Sequence, residues 1–108
     1  MNKNITLFFL ISTGLLLIVT RVIAQVSDYE KANLAFNRGD YKTSYSLIRP
    51  LAKKGFAQAQ YSLGIMYEKG KGVDLNLKKA KKWFQLAAQQ GISKAQYKLG
   101  LIYRNGKG

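Results

Sequence analysis

Catalysis in proteins draws first on imidazole and thiolate, and this chain of 108 residues contains no His and no Cys. That excludes disulfides, zinc fingers, thiolate metal sites, Cys nucleophiles and His general bases. The five acids offer little in their place. Only Asp28 and Glu30 lie close together, on what reads as an early exposed turn, and no acid pair fits a general acid and base. Gly70-Lys71-Gly72 and Gly106-Lys107-Gly108 lack the following Ser/Thr and the preceding strand of a phosphate loop, and read as turns. One basic run is left, Lys78-Lys79-Ala80-Lys81-Lys82-Trp83, which could bind phosphates by charge and stack a base on the indole. On a helical wheel its lysines fall opposite the apolar residues, as on an ordinary solvated face, and Trp83 falls at the core edge. No nucleic acid, cofactor, metal or small-molecule substrate is therefore expected.

Eighteen cations against the five acids give a net charge of +13. A hydrophobic share of 47% argues for a folded domain, and the length allows one small domain at most. The cations are not spread evenly. Ile5 to Val19 is an uncharged apolar run, preceded by Lys3 and closed by Arg21, and Val22-Ile23-Ala24 places residues acceptable to signal peptidase before Gln25. Residues 1–24 thus read as a secretory signal cut after Ala24. An uncleaved anchor is disfavoured because 15 uncharged residues fall short of the ~20 of a spanning helix. Cleavage leaves 16 cations against five acids, a charge of +11, and membrane contact only in passage. The product is expected outside the cytoplasm, periplasmic or secreted if bacterial.

An internal repeat organises the rest. Residues 59–72 align without gaps to 95–108, an offset of 36, with nine of 14 positions identical. Ala52 maps to Ala88 and Gly55 to Gly91 at the same offset. Each unit reads as two helices. In the first, from Ala57 to Lys69, the stripe Ala59, Leu63, Met66 and Tyr67 has helical spacing and Gly70 and Gly72 close it. The second runs from about Leu77 to Gln90, with Leu77, Ala80, Phe84, Ala87 and Ala88 on one face, Trp83 at its edge and Gly91 as its stop. Upstream, Asp28 to Arg38 and Tyr41 to Lys54 form a leading pair; matching Phe36 to Tyr67 takes an offset of 31, so its loop is five residues shorter. Gly64 and Gly100 interrupt strong helical patterns at a cost of ~1 kcal/mol each relative to Ala. Close approach of a neighbouring helix through its small residues Ala80, Ala87 and Ala88 is the expected compensation. Pro50 should kink or break its helix near Arg49.

Ala-Gln-Tyr-x-Leu-Gly-x-x-Tyr-x-x-Gly-x-Gly-Val, followed by Lys-Ala-x-x-Trp and Ala-Ala-x-x-Gly, resembles the SEL-1-like repeats, relatives of the tetratricopeptide repeats whose period is 34 rather than 36. The repeat positions of this chain are Ala59, Leu63, Gly64, Tyr67, Gly70, Gly72, Ala80, Trp83, Ala87, Ala88 and Gly91, and then Ala95, Leu99, Gly100, Tyr103, Gly106 and Gly108. Asn76 stands where the family usually has Asp, and Asn still caps a helix. The resemblance implies an all-α fold of antiparallel helix-turn-helix repeats stacked as an α-solenoid behind the signal helix. Residues 25–54 would be a short leading repeat, 55–91 a nearly complete one and 92–108 an incomplete one. It also implies a non-catalytic scaffold or adaptor whose partner is another protein, favoured to be acidic by the charge.

The last unit stops after one helix, leaving Leu99, Ile102 and Tyr103 without a second helix over them. A truncated product or a partner over that face are the alternatives, with truncation favoured by the break in mid-unit. Leu86 lies off the apolar stripe between Lys79 and Lys82, so these three are candidate partner contacts. Tyr61 and Tyr97 recur at the repeat spacing, which favours framework packing, yet either could line a concave binding face. A second reading keeps the charge central: a cationic binder of lipopolysaccharide, acidic glycans or nucleic acid.

Overall fold

The computed structural model describes residues 3–106, leaving the sequence-assigned positions Lys107 and Gly108 outside. Five helices follow in order, α1 Lys3–Asn37, α2 Tyr41–Lys53, α3 Ala57–Lys69, α4 Leu77–Gln89 and α5 Ser93–Arg104, and no strand occurs among the described residues. Each packs on its sequence neighbour, α1 on α2 through α4 on α5, the antiparallel stacking of an α-solenoid. The molecule is elongated, 66 × 29 × 16 Å, because α1 projects beyond the array.

Two kinds of helix start alternate. After α1, α2 and α4 the chain turns in three residues through Gly39 (φ 81°), Gly55 (φ 96°) and Gly91 (φ 90°). In each turn the next residue's N–H reaches back to a helix carbonyl: Asp40 N to Ala35 O, Phe56 N to Leu51 O and Ile92 N to Ala87 O. These bonds satisfy carbonyls that the helix end would otherwise leave bare, and only a left-handed residue lets the chain close on them. Phe56 and Ile92 then pack against the core, so α3 and α5 start without a side-chain cap. Helices α2 and α4 start instead on polar caps, the Asp40 carboxylate accepting from Thr43 N (3.3 Å) and Asn76 Oδ1 from Lys79 N (2.9 Å). Bonds from Thr43, side chain first and backbone second, hold Asp40 below the usual carboxylate pKa.

The core lies where α3 is held between α2 and α4. Ala59, Leu63, Met66 and Tyr67, the stripe expected of α3, are all buried, as are Ala80, Phe84 and Ala87 of α4. Trp83 and Ala88 are half-buried at the edge of that core. In the third unit Ala95 is buried, Leu99 half-buried, and Gly100 and Tyr103 exposed.

Several expectations need correction. Asp28 and Glu30 sit within α1, not on a turn, since nothing between Ile23 and Asp28 breaks a helix and the apolar segment runs straight into the repeat helix. By length and composition that helix could cross a membrane, a property a signal sequence near the N-terminus shares, with mean hydropathy 2.3 over its richest 18 residues and none of that stretch buried. Pro50 does not break α2, which is helical from Tyr41 to Lys53. The bond Pro50 cannot donate would go to Ser46 O; both residues are exposed, so water can take that carbonyl. Leu77 is exposed at the mouth of a groove rather than sharing the buried face of α4. Gly64 faces not the alanines but the ring of Phe84: a Cβ there would lie 2.5 and 2.6 Å from two ring carbons. At Gly100 the same construction meets nothing within 4 Å.

Candidate interaction surface

The repeats leave two equivalent grooves. One runs between α1, α2 and α3, a cavity of about 260 Å³ with Phe36, Ile48 and Met66 in its floor and Asn33, Tyr61 and Lys69 at its sides. The other runs between α3, α4 and α5, about 310 Å³, lined by Ala80, Leu101 and Ile102 with Leu77 at the mouth. Shifted by 36, Ser62, Ile65, Met66 and Lys69 become Lys98, Leu101, Ile102 and Asn105, so α3 and α5 present one wall twice. The walls differ in one respect. Ser62 Oγ lies 3.4 Å from the Tyr29 hydroxyl, whereas Lys98 crosses the second groove to Glu68 at 2.7 Å, both side chains about a quarter exposed. The first groove is therefore open and the second is spanned by an ion pair.

The basic run on α4 is less available than its sequence suggests. Lys79 Nζ lies over the Tyr67 ring at 5.5 Å and Lys81 Nζ over the Tyr103 ring at 5.0 Å, one on each neighbouring first helix. Lys71 Nζ covers Tyr41 in the same way at 4.9 Å. An ammonium over a π-face is attracted by the ring quadrupole, so these lysines tie helices together. Lys78, Lys79 and Lys82 are nonetheless exposed, and Leu86, 42% exposed, lies one turn beyond Lys82. Of the candidate contacts, Lys82 and Leu86 are thus together on α4, Lys79 is folded back onto Tyr67, Tyr61 lines the first groove, and Tyr97 is 69% exposed on α5. Tyr61 also packs on Phe84, with ring centroids 5.8 Å apart. Five side chains chosen by sequence do not form one patch.

Glutamines are the residues that sequence reasoning missed. Gln60, 5% exposed, donates to Ala52 O (3.2 Å) across the unit boundary and its Oε1 accepts from Gln90, which also donates to Gly55 O (2.9 Å). Gln96 repeats the first of these bonds on Ala88 O at 3.3 Å. The signal was present in the repeated Ala-Gln-Tyr: a polar side chain beside a buried alanine at the same place in two units must find a partner there. The glycines after α3 also divide their work. Gly70 takes the left-handed cap, φ 64°, and Gly72, left-handed as well at φ 75°, is also where a Cβ would strike the Tyr41 carbonyl of the preceding unit. Gly106 turns the chain after α5 at φ 69°. Tyr45 and Tyr67 meet hydroxyl to hydroxyl at 3.3 Å, and burial, followed by that bond, pushes the Tyr45 pKa up. No cluster of acids that could hold a metal ion occurs among the described residues.

The Sel1 repeat profile matches residues 57–92 and 93–108. The chain is 44% identical over 57 residues to the chitin synthase regulator SKT5 of Saccharomyces cerevisiae, a match that takes in 53% of this chain and 8% of the yeast protein. Among solved structures it is similar to a Sel1 repeat protein of Oxalobacter formigenes (TM-score 0.59, 38% identity, 60% of this chain and 27% of that one). It is also similar to a protective antigen of uropathogenic Escherichia coli with an SLR fold (TM-score 0.70, 29% identity, 76% and 18%). The chain spans less than a third of the length of each.

Proposed function

This chain is a SEL-1-like repeat protein, and from that premise we propose that it is an exported, non-catalytic scaffold binding another protein in the groove between its successive repeats. Proteins of this repeat generally act as protein-interaction scaffolds. The observation that carries the reading here is the open groove between α1, α2 and α3, with an apolar floor and polar sides, the make-up expected of a peptide-binding cleft. The yeast relative is named a regulator of another protein, in keeping with such a role. The unburied apolar part of α1 supports export to the periplasm or beyond. Lys69 at the side of the groove and the net positive charge favour an acidic stretch on the partner.

Ser62→Lys tests the reading. The fold already accepts lysine at the corresponding position 98, so the substitution should place a long cation in the first groove and leave the melting temperature near that of the parent. Pull-down from the extract of the source cell, with and without the substitution, at low and high salt, should yield a protein that survives salt and is lost on Ser62→Lys. A ligand released steeply by salt and indifferent to Ser62→Lys would favour the anionic-surface reading instead. The lysines engaged on tyrosines count against that alternative.

A further inference from the structure

We propose that the Ala24–Gln25 bond is a processing site and that Ser27-Asp28-Tyr29-Glu30 is a second helix start, built into α1, that caps the repeat helix once residues 1–24 are gone. The proposal rests on the export part of the function proposed above. Three observations meet at the same few residues. The first is packing: the described side chains from Lys3 to Ala24 are all exposed, and Gln25 is the first to be partly covered, followed by Asp28, Tyr29 and the buried Ala32. Residues up to 24 thus add no buried side chain of their own, and their only approach to the core among the described residues is at a surface cavity where Arg21 and Ala24 face Leu51.

The second is register. Helices α3 and α5 begin at Ala57 and Ser93, 36 apart, and the 31-residue offset of the leading unit puts the corresponding start at Val26. The repeat array thus begins where the packing begins, although the helix itself began much earlier. The third is capping. Ser-x-x-Glu is the pairing in which a serine side chain takes the N–H three residues on and the glutamate returns to the serine N–H. Inside a continuous helix those N–H groups are already bonded, so the motif has nothing to satisfy there. Neither α3 nor α5 has a side-chain cap or an acid in its first turn; each enters from a tight turn whose bonds close the end of the preceding helix and hold the chain at the new start. A helix cut free at Gln25 has no such turn. It has Ser27, with Asp28 and Glu30 as negative charges in the first turn, where the helix dipole favours them.

The chemistry is hydrolysis by a membrane peptidase that selects small side chains at the positions held by Val22 and Ala24. Water adds to the Ala24 carbonyl carbon, the bond to the Gln25 nitrogen breaks, and the products are an Ala24 carboxylate and a Gln25 ammonium. Residues 22–24 are exposed, so extending them into a protease removes no buried side chain and opens only the surface cavity that Ala24 shares with Leu51 and Lys54.

The experiment expresses the whole chain in an exporting bacterium and reads the mass of the product. A product beginning at Gln25 is expected. Thermal unfolding of that product is then compared with Ser27→Ala and Ser27→Asp, and the same pair is made in an uncut chain carrying Ala24→Leu, held in detergent. Ser27→Ala should lower the midpoint of the processed chain by about 4–8 °C and Ser27→Asp should restore it, whereas in the uncut chain, where residue 27 is an exposed helix-interior position, Ser27→Ala should leave the midpoint unchanged or slightly raised. Equal shifts in both forms would overturn the capping role. An exported product starting elsewhere would overturn this inference alone, whereas a whole chain retained in the cytoplasm would overturn the export reading and this inference with it.

Discussion

Two glycines at equivalent positions should respond in opposite directions to the same substitution. Gly64 and Gly100 both lie inside helices, and alanine at either should gain ~1 kcal/mol of helix propensity. At Gly64 the added methyl would sit 2.5 and 2.6 Å from two carbons of Phe84, about 1 Å inside the optimal carbon–carbon separation of about 3.5–4.0 Å. Phe84 is fully buried and Tyr61 packs against it, so its ring has little room to retreat. Overpacking of this kind costs about 1–3 kcal/mol, and two contacts of this length belong at the upper end. The net expectation for Gly64→Ala is a loss of about 2 kcal/mol. Gly100→Ala, with open space around it, should gain up to ~1 kcal/mol. Urea unfolding followed by helical circular dichroism measures both, and Gly64→Ala/Phe84→Leu completes a double-mutant cycle whose coupling should be at least ~1 kcal/mol because a smaller side chain relieves the clash. A Gly64→Ala protein as stable as the parent, or strictly additive double-mutant values, would refute the packing argument.

Two further outcomes follow from the polar contacts. Gln60→Met should cost about 1–3 kcal/mol in urea unfolding, because the side chain is buried and Gln90 loses its acceptor, whereas Gln96→Met, at an exposed position, should fall within about 0.5 kcal/mol of the parent. Equal costs would show that burial does not decide the matter. Tyr45 is held neutral in the fold, its pKa raised by burial and by the Tyr67 hydroxyl, so its contribution is fully present below the unfolded value of about 10 and is lost as pH rises through the folded one. Melting temperatures taken from pH 8 to 12 should therefore fall more steeply for the parent than for Tyr45→Phe, and parallel curves would contradict the assignment.

The arrangement of the repeats was legible because local chemistry imposes it. Gly55, Gly70 and Gly91 can take left-handed turns that few other residues tolerate, so the ends of α2, α3 and α4 fall within a residue of where composition and spacing put them. What crosses between helices was harder to read. A stripe such as Ala59, Leu63, Met66 tells which side of α3 is buried but not which residue of α4 lies opposite, and so the spacing points to an alanine beside Gly64 where the fold places Phe84. The lysines of α4 posed the same difficulty: a helical wheel places Lys79 and Lys81 toward solvent, but their stems are long enough to lay the ammonium on a tyrosine of the next helix. At Ala24-Gln25 the packing onto the repeats begins while the backbone passes through unbroken, since both residues are good helix formers.

The turn before α3 and the turn before α5 close with the same backbone bonds, and Gln60 and Gln96 reach back across them to equivalent alanine carbonyls. Residues 57–92 are consequently a cassette with matching ends. A duplication of that stretch would join Ile92 to a second Ala57 across a seam whose bonding rules the chain already obeys twice, so arrays of this kind can lengthen by unequal recombination without inventing a new junction.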